Sequence, residues 1–103
     1  MQPKGYIIVT VTLFREDDQW VGRCLELGTA ACGETLDEAK EAIEEAIFLH
    51  LNTLEETGER KSFLQKHGVR FYRRRPHFKH SRVSIPFDDD GLFQRKLVSV
   101  QSQ

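Results

Sequence analysis

Two groups of side chains in this 103-residue chain have types and spacings that could do chemistry. The first is acidic: Asp17, Asp18, Glu26 and the glutamates of a long segment, Glu38, Glu41, Glu44 and Glu45. Three carboxylates converging on one point would hold the metal pair of a nuclease. Nothing in their spacing makes three of them converge, so the reading is solvated surface acid. The second group is basic. From Arg70 to Arg82 six cations (Arg70, Arg73, Arg74, Arg75, Lys79 and Arg82) interleave with Phe71, Tyr72 and Phe78. Sites for single-stranded nucleic acid use this mixture, cations for phosphates and aromatic faces for bases. The competing reading is a strand whose aromatics enter the core and whose arginines face water or an acidic neighbour.

The remaining reactive residues point to less. His77 and His80 have a tolerable ligand spacing, but no cysteine or acid lies near them in sequence and the flanking cations repel a metal ion. His50 lies at the apolar edge of a helix and is expected to be packed and hydrogen-bonded. The two cysteines, Cys24 and Cys32, match no zinc-ribbon spacing. A hairpin turning around Gly28 would set them opposite each other, and the expectation is two small, half-buried thiols rather than a disulfide. No Gly-x-Ser-x-Gly elbow or phosphate-cradling glycine loop occurs, so no enzyme activity, metal or cofactor is expected.

Charge is strongly divided along the chain. Residues 1–59 hold thirteen acids and four bases, and residues 60–103 hold eleven bases and three acids, within a net charge of −1. Such a division bears on partners and self-association rather than on fold. No run of about eighteen apolar residues exists to span a membrane. No secretory leader pattern is visible, and a cytoplasmic location is expected, where disulfides are disfavoured.

The elements that must position these groups follow from periodicity. Tyr6 to Phe14 alternates, with Ile7, Val9, Val11 and Leu13 on one face, which predicts a half-buried strand. Glu16-Asp17-Asp18-Gln19 is a polar turn and Trp20 to Leu27 the returning strand, with either face able to be the inner one. Thr29 to Gly33 is a short third strand. Thr35 and Glu38 have capping-box spacing, the glutamate expected to reach back to the N–H of Thr35. From there Leu36, Ala39, Ala42, Ile43, Ala46, Ile47, Leu51 and Leu54 form one apolar stripe, predicting a helix over 36–56 that stops at Gly58. Arg60 to His67 reads as a further helical turn or two, and Val69 to Tyr72 as a fourth strand completing the sheet. Beyond it, Val83 to Phe87 is extended, Asp88 to Gly91 turns, and Leu92 to Val100 could add another strand. The fold expected is α+β: a β-β-β-α-β core with one long helix on a mainly antiparallel sheet, and an extended C-terminal tail. Its helix is long for so small a sheet, so a dimer or tetramer is expected.

The segment Gly33-Glu34-Thr35-Leu36-Asp37-Glu38-Ala39, after the hairpin Trp20-Val21-Gly22-Arg23-Cys24-Leu25-Glu26-Leu27 and before Glu44-Glu45-Ala46-Ile47, resembles the HicB antitoxin family over about 65 residues. The resemblance implies a partial ribonuclease H-like domain over 1–72, with 73–103 as a basic extension. It further implies a type II antitoxin that binds and occludes a HicA-type mRNA-cleaving ribonuclease. Trp20, Glu41 and Glu45 are then the candidate toxin contacts, Trp20 as an aromatic anchor and the glutamates as rim charge. Full-length family members often end in a helix-turn-helix or ribbon-helix-helix. Here Pro76, Pro86 and Gly91 preclude two packed helices, so operator binding by that route is not expected. The alternatives are a nucleic-acid-binding protein using the basic segment, and a solitary family member without a toxin.

Overall fold

The computed structural model describes residues 5–77, 81–84 and 91–100, and the chain is α+β. Strands β1 (Gly5–Glu16), β2 (Gln19–Cys24) and β3 (Thr29–Gly33) form a meander. Helices α1 (Leu36–Glu56) and α2 (Arg60–Lys66) follow, and then strands β4 (Ser81–Ser84) and β5 (Gly91–Val100). The sheet is antiparallel with order β3-β2-β1-β5-β4. Its centre, β1, pairs with β2 from Val11 to Glu16 and with β5 along its length from Gly5 to Phe14.

One face of the sheet carries the core. Ile7, Val9, Val11 and Leu13 are buried and pack with Ala39, Ile43, Ile47 and Leu51 of α1, as the two periodicities require. The ambiguity of the returning strand is resolved in favour of Trp20, Gly22 and Cys24 as its inner residues. Gly22 shows why: a Cβ there would lie 3.0 Å from Ile43 Cβ and 3.2 Å from a Leu13 methyl, so α1 crosses directly over it.

The helix start is capped with one difference from expectation. Thr35 Oγ1 accepts from the Glu38 N–H at 3.1 Å, but the Glu38 carboxylate reaches to the N–H of Glu34, at 2.9 Å. The box is therefore one residue wider on its return side. At the far end α1 stops at Thr57 and Gly58, whose φ of +74° ends the helix at no steric cost.

Two expectations about strands change. Val69 to Tyr72 is not a strand: only Tyr72 pairs, exchanging backbone hydrogen bonds of 2.7 and 2.8 Å with Tyr6. The place beside β1 is taken by β5, whose ten residues satisfy far more backbone than four could. The returning strand is also shorter than Trp20–Leu27, because Leu25 to Gly28 is already the turn. That turn sets Cys24 against Thr29 and Cys32 against Val21, so the cysteines are not opposite each other. Nor are they both half-buried: Cys24 points into the core, Cys32 lies exposed on the other face, and both are free. No break in the sheet falls at residue 72, since β4 and β5 continue the sheet that β1 begins. The expected extension from Ile85 to Phe87 and the expected turn at Asp88 to Asp90 lie outside the described residues.

Candidate functional site

The acids gather on the outer surface of α1 because its apolar stripe fixes which side meets the sheet. Glu41 and Glu45 are exposed, one turn apart, and Phe48 continues the same ridge at 48% exposure. Asp37, Glu38 and Glu44 are exposed beside them. On the flank toward β5, Glu44 pairs with Lys96. Next to that pair a shallow groove of about 220 Å³ is lined by Ile47, Phe48 and Val98. The ridge is thus an aromatic side chain among carboxylates, a surface that suits a cationic partner. Periodicity placed Phe48 off the stripe; that it would stand uncovered was not legible from spacing alone.

Trp20 is half-buried and packs against the core on the inner face of β2. It does not share the ridge with Glu41 and Glu45, which look outward from the far side of α1.

Glu26 has a structural partner. Where β2 leaves β1, its carboxylate accepts from the Thr10 N–H at 2.7 Å and from Thr10 Oγ1 at 2.9 Å, replacing the lost strand neighbour. Asp17 and Asp18 form the β1–β2 turn, Asp17 at a φ of +54°. Among the described residues no three His, Cys, Asp or Glu side chains are grouped to hold a metal ion.

The basic segment is only partly brought together. Arg70, Arg73, Arg74 and Arg75 are exposed on the chain that runs past the start of β1. Arg82 falls on β4, and Lys79 and Phe78 lie outside the described residues. Three aromatic rings each carry a guanidinium: Arg60 over Phe71 at 5.6 Å, Arg70 over Tyr72 at 5.8 Å, and Arg75 over Tyr6 at 5.9 Å. Phe71 packs against the core, and Arg60, 7% exposed, also pairs with Glu55 at 3.1 Å. A cleft of about 540 Å³ opens between α2 and this segment, with Leu64, Val69 and Phe71 as its apolar floor and Lys61, Arg70 and Arg73 on its sides. The cleft was missed by sequence reasoning because it forms only when α2 folds back against residues 69–73.

The histidines of the helices serve packing. Phe63 lies edge-on to His50 at 5.2 Å and stacked on His67 at 4.0 Å. His50 does not meet the expectation of a hydrogen-bonded ring, because its buried Nε2 has no partner among the described residues. His77 is exposed, and His80 lies outside the described residues. Burial pushes the Cys24 thiol up to about 11, so it is inert at neutral pH.

No helix among the described residues is long and apolar enough to cross a membrane. Comparison of the chain with protein-family models, with curated proteins and with solved structures gives no match.

Proposed function

We propose that this chain is a non-catalytic binding protein of the HicB antitoxin type, which acts in the cytoplasm by occluding a HicA-type mRNA-cleaving ribonuclease. The observation that carries the reading is the ridge of α1, where Glu41, Glu45 and the uncovered Phe48 lie in line. A ribonuclease that grips RNA presents a basic surface. Covering about 800 Å² of it excludes substrate without any bond being made or broken. Phe48 is the aromatic anchor of such a contact and the glutamates speed encounter. Trp20, half-buried on the inner face of β2, lies off this ridge. The basic segment of Arg73, Arg74 and Arg75 repels a cationic toxin and stays outside the interface.

The test is co-expression with the product of a neighbouring reading frame that encodes a small basic protein, followed by co-purification and an RNA-cleavage assay. Glu41→Lys with Glu45→Lys should slow association at least tenfold at low salt, and Phe48→Ala should speed dissociation. Arg73→Glu with Arg74→Glu should change neither. If the intact protein neither binds nor inhibits its neighbour, the antitoxin reading is lost, and a solitary family member without a toxin takes its place.

A second reading is favoured by the cleft beside α2. Lys61, Arg70 and Arg73 around an apolar floor suit a nucleic acid strand, with Arg74, Arg75, Lys79 and Arg82 as further phosphate contacts. Against it, Phe71, Tyr72 and Tyr6 each already have a guanidinium over one face, at 5.6, 5.8 and 5.9 Å, and Phe71 packs against the core. Fluorescence anisotropy with single-stranded RNA separates the two readings: binding that falls steeply with salt and is lost in Arg70→Glu with Arg73→Glu belongs to the second.

A further inference from the structure

We propose that the free edge of β3 and the adjoining flank of α1 form the face on which two copies of this chain pair. In this arrangement β3 runs antiparallel to β3 and α1 lies beside α1 about a two-fold axis.

The first observation is the edge itself. β3 ends the sheet, and among the described residues no strand pairs with its outer side. Alternate N–H and C=O groups of Thr29 to Gly33 therefore point outward as a template for another strand. Edge strands are commonly guarded by lysine, proline, a bulge or an inward charge. Thr29-Ala30-Ala31-Cys32-Gly33 has none of these and carries no bulky side chain.

The second observation is independent and comes from the helix. The ion pair of Glu44 with Lys96 turns one flank of α1 toward β5, and Ala39, Ile43, Ile47 and Leu51 face the sheet. At 3.6 residues per turn the opposite flank, which overhangs β3, is Ala42, Ala46, Leu49 and Thr53. Leu49 is 56% exposed there, a large apolar side chain with nothing over it. In a chain where 30% of residues are charged, neither β3 nor this flank holds one charge, so a copy of the same face meets no repulsion.

Geometry selects a second copy as the occupant. An antiparallel edge is its own complement about a two-fold axis normal to the sheet, and that axis keeps both helices on the same side. Strands pair about 4.8 Å apart, and α1 lies mainly over β3 and β2. The two helices then come to about 10 Å, the ordinary distance for packed helices. Ala42 and Ala46 allow that approach and Leu49 fills the space beside them. Glu38 and Glu45 sit at the rim of this contact, so added salt should tighten the pair. The inference does not depend on the toxin reading: Glu41 and Phe48 lie outside this face, and Glu45, which belongs to both, touches only its rim.

Cys32 on β3 is exposed and Cys24 is buried, so a pyrene maleimide labels one site per chain. The pair of labels would lie across the two-fold axis and give excimer fluorescence. Sedimentation equilibrium of the intact protein should show a dimer that Leu49→Glu weakens at least tenfold, with excimer emission lost in parallel. Phe48→Glu, on the other flank, should leave both readings unchanged. A monomer at every concentration tested overturns the proposal. So does a dimer without excimer emission that Phe48→Glu dissociates and Leu49→Glu does not.

Discussion

Replacing Gly22 with alanine should destabilise the protein through one specific collision, and the cost should depend on Ile43. The added Cβ would sit 3.0 Å from Ile43 Cβ, 3.2 Å from its Cγ2 and 3.2 Å from Leu13 Cδ2, all inside ordinary contact distance. Ile43 and Leu13 are 1% and 0% exposed, so neither can swing into solvent. Overpacking of this kind costs about 1–3 kcal/mol. Alanine recovers about 0.5–1 kcal/mol by restricting the unfolded chain. The net expected loss is about 0.5–2 kcal/mol, a fall in Tm of roughly 2–16 °C for a domain of this size. Ile43→Ala alone should cost about 2–4 kcal/mol by leaving a cavity. Together the two changes should cost less than their sum by about 1 kcal/mol, because the Ile43 atoms lost beyond Cβ remove the Cγ2 contact and leave space into which α1 and Leu13 can shift to relieve the other two. Urea unfolding followed by circular dichroism, with Trp20 fluorescence as a second probe, measures all four corners of the cycle. Strict additivity would refute the close crossing of α1 over β2, and a stabilising Gly22→Ala would place the helix further off the sheet.

Thr35→Ala removes the hydroxyl that accepts from Glu38 and should cost about 1 kcal/mol in the same unfolding assay, whereas Thr35→Ser should restore most of it. Cys32 should react with a thiol reagent at pH 8 while Cys24 does not until the protein unfolds, as peptide mapping after alkylation would show. Burial holds the Cys24 thiol neutral in the fold up to about 11, against 9.0 without it. The unfolded chain therefore releases this proton first, and stability falls between pH 9 and 11. The fall is on the order of 2–3 kcal/mol and should be absent in Cys24→Ala.

Where a reading rested on local repetition, the chain disclosed its structure directly. The alternation of Ile7, Val9, Val11 and Leu13 and the spacing of Ala39, Ile43 and Ile47 name the two surfaces that meet. The Thr35 hydroxyl and Gly58 mark where α1 begins and ends. What stayed hidden depended on partners distant in sequence. Val69 to Tyr72 has the composition of a strand, yet β5 outcompetes it for β1. The relation of Cys24 to Cys32 turned on how many residues the β2–β3 turn consumes, since one residue reverses the face. On the candidate site, spacing put Glu41 and Glu45 on the outside of α1. It could not reveal that Phe48 would stay uncovered beside them, or that Lys61, Arg70 and Arg73 would surround one cleft.

The pairing of β1 with β5 also sets a schedule. Ile7 waits for Val98 and Gly5 for Val100, so about ninety residues of chain must be made before the central strand has its second neighbour. At roughly 5–20 residues per second, that leaves one side of β1 open for about five to twenty seconds during synthesis. Once residue 56 is made α1 can cover Ile7, Val9, Val11 and Leu13, while the backbone groups meant for β5 remain unmatched until the end. A nascent chain of this protein is therefore most vulnerable to joining another through β1. Slowing translation before β5 should raise the aggregated fraction without altering the finished protein.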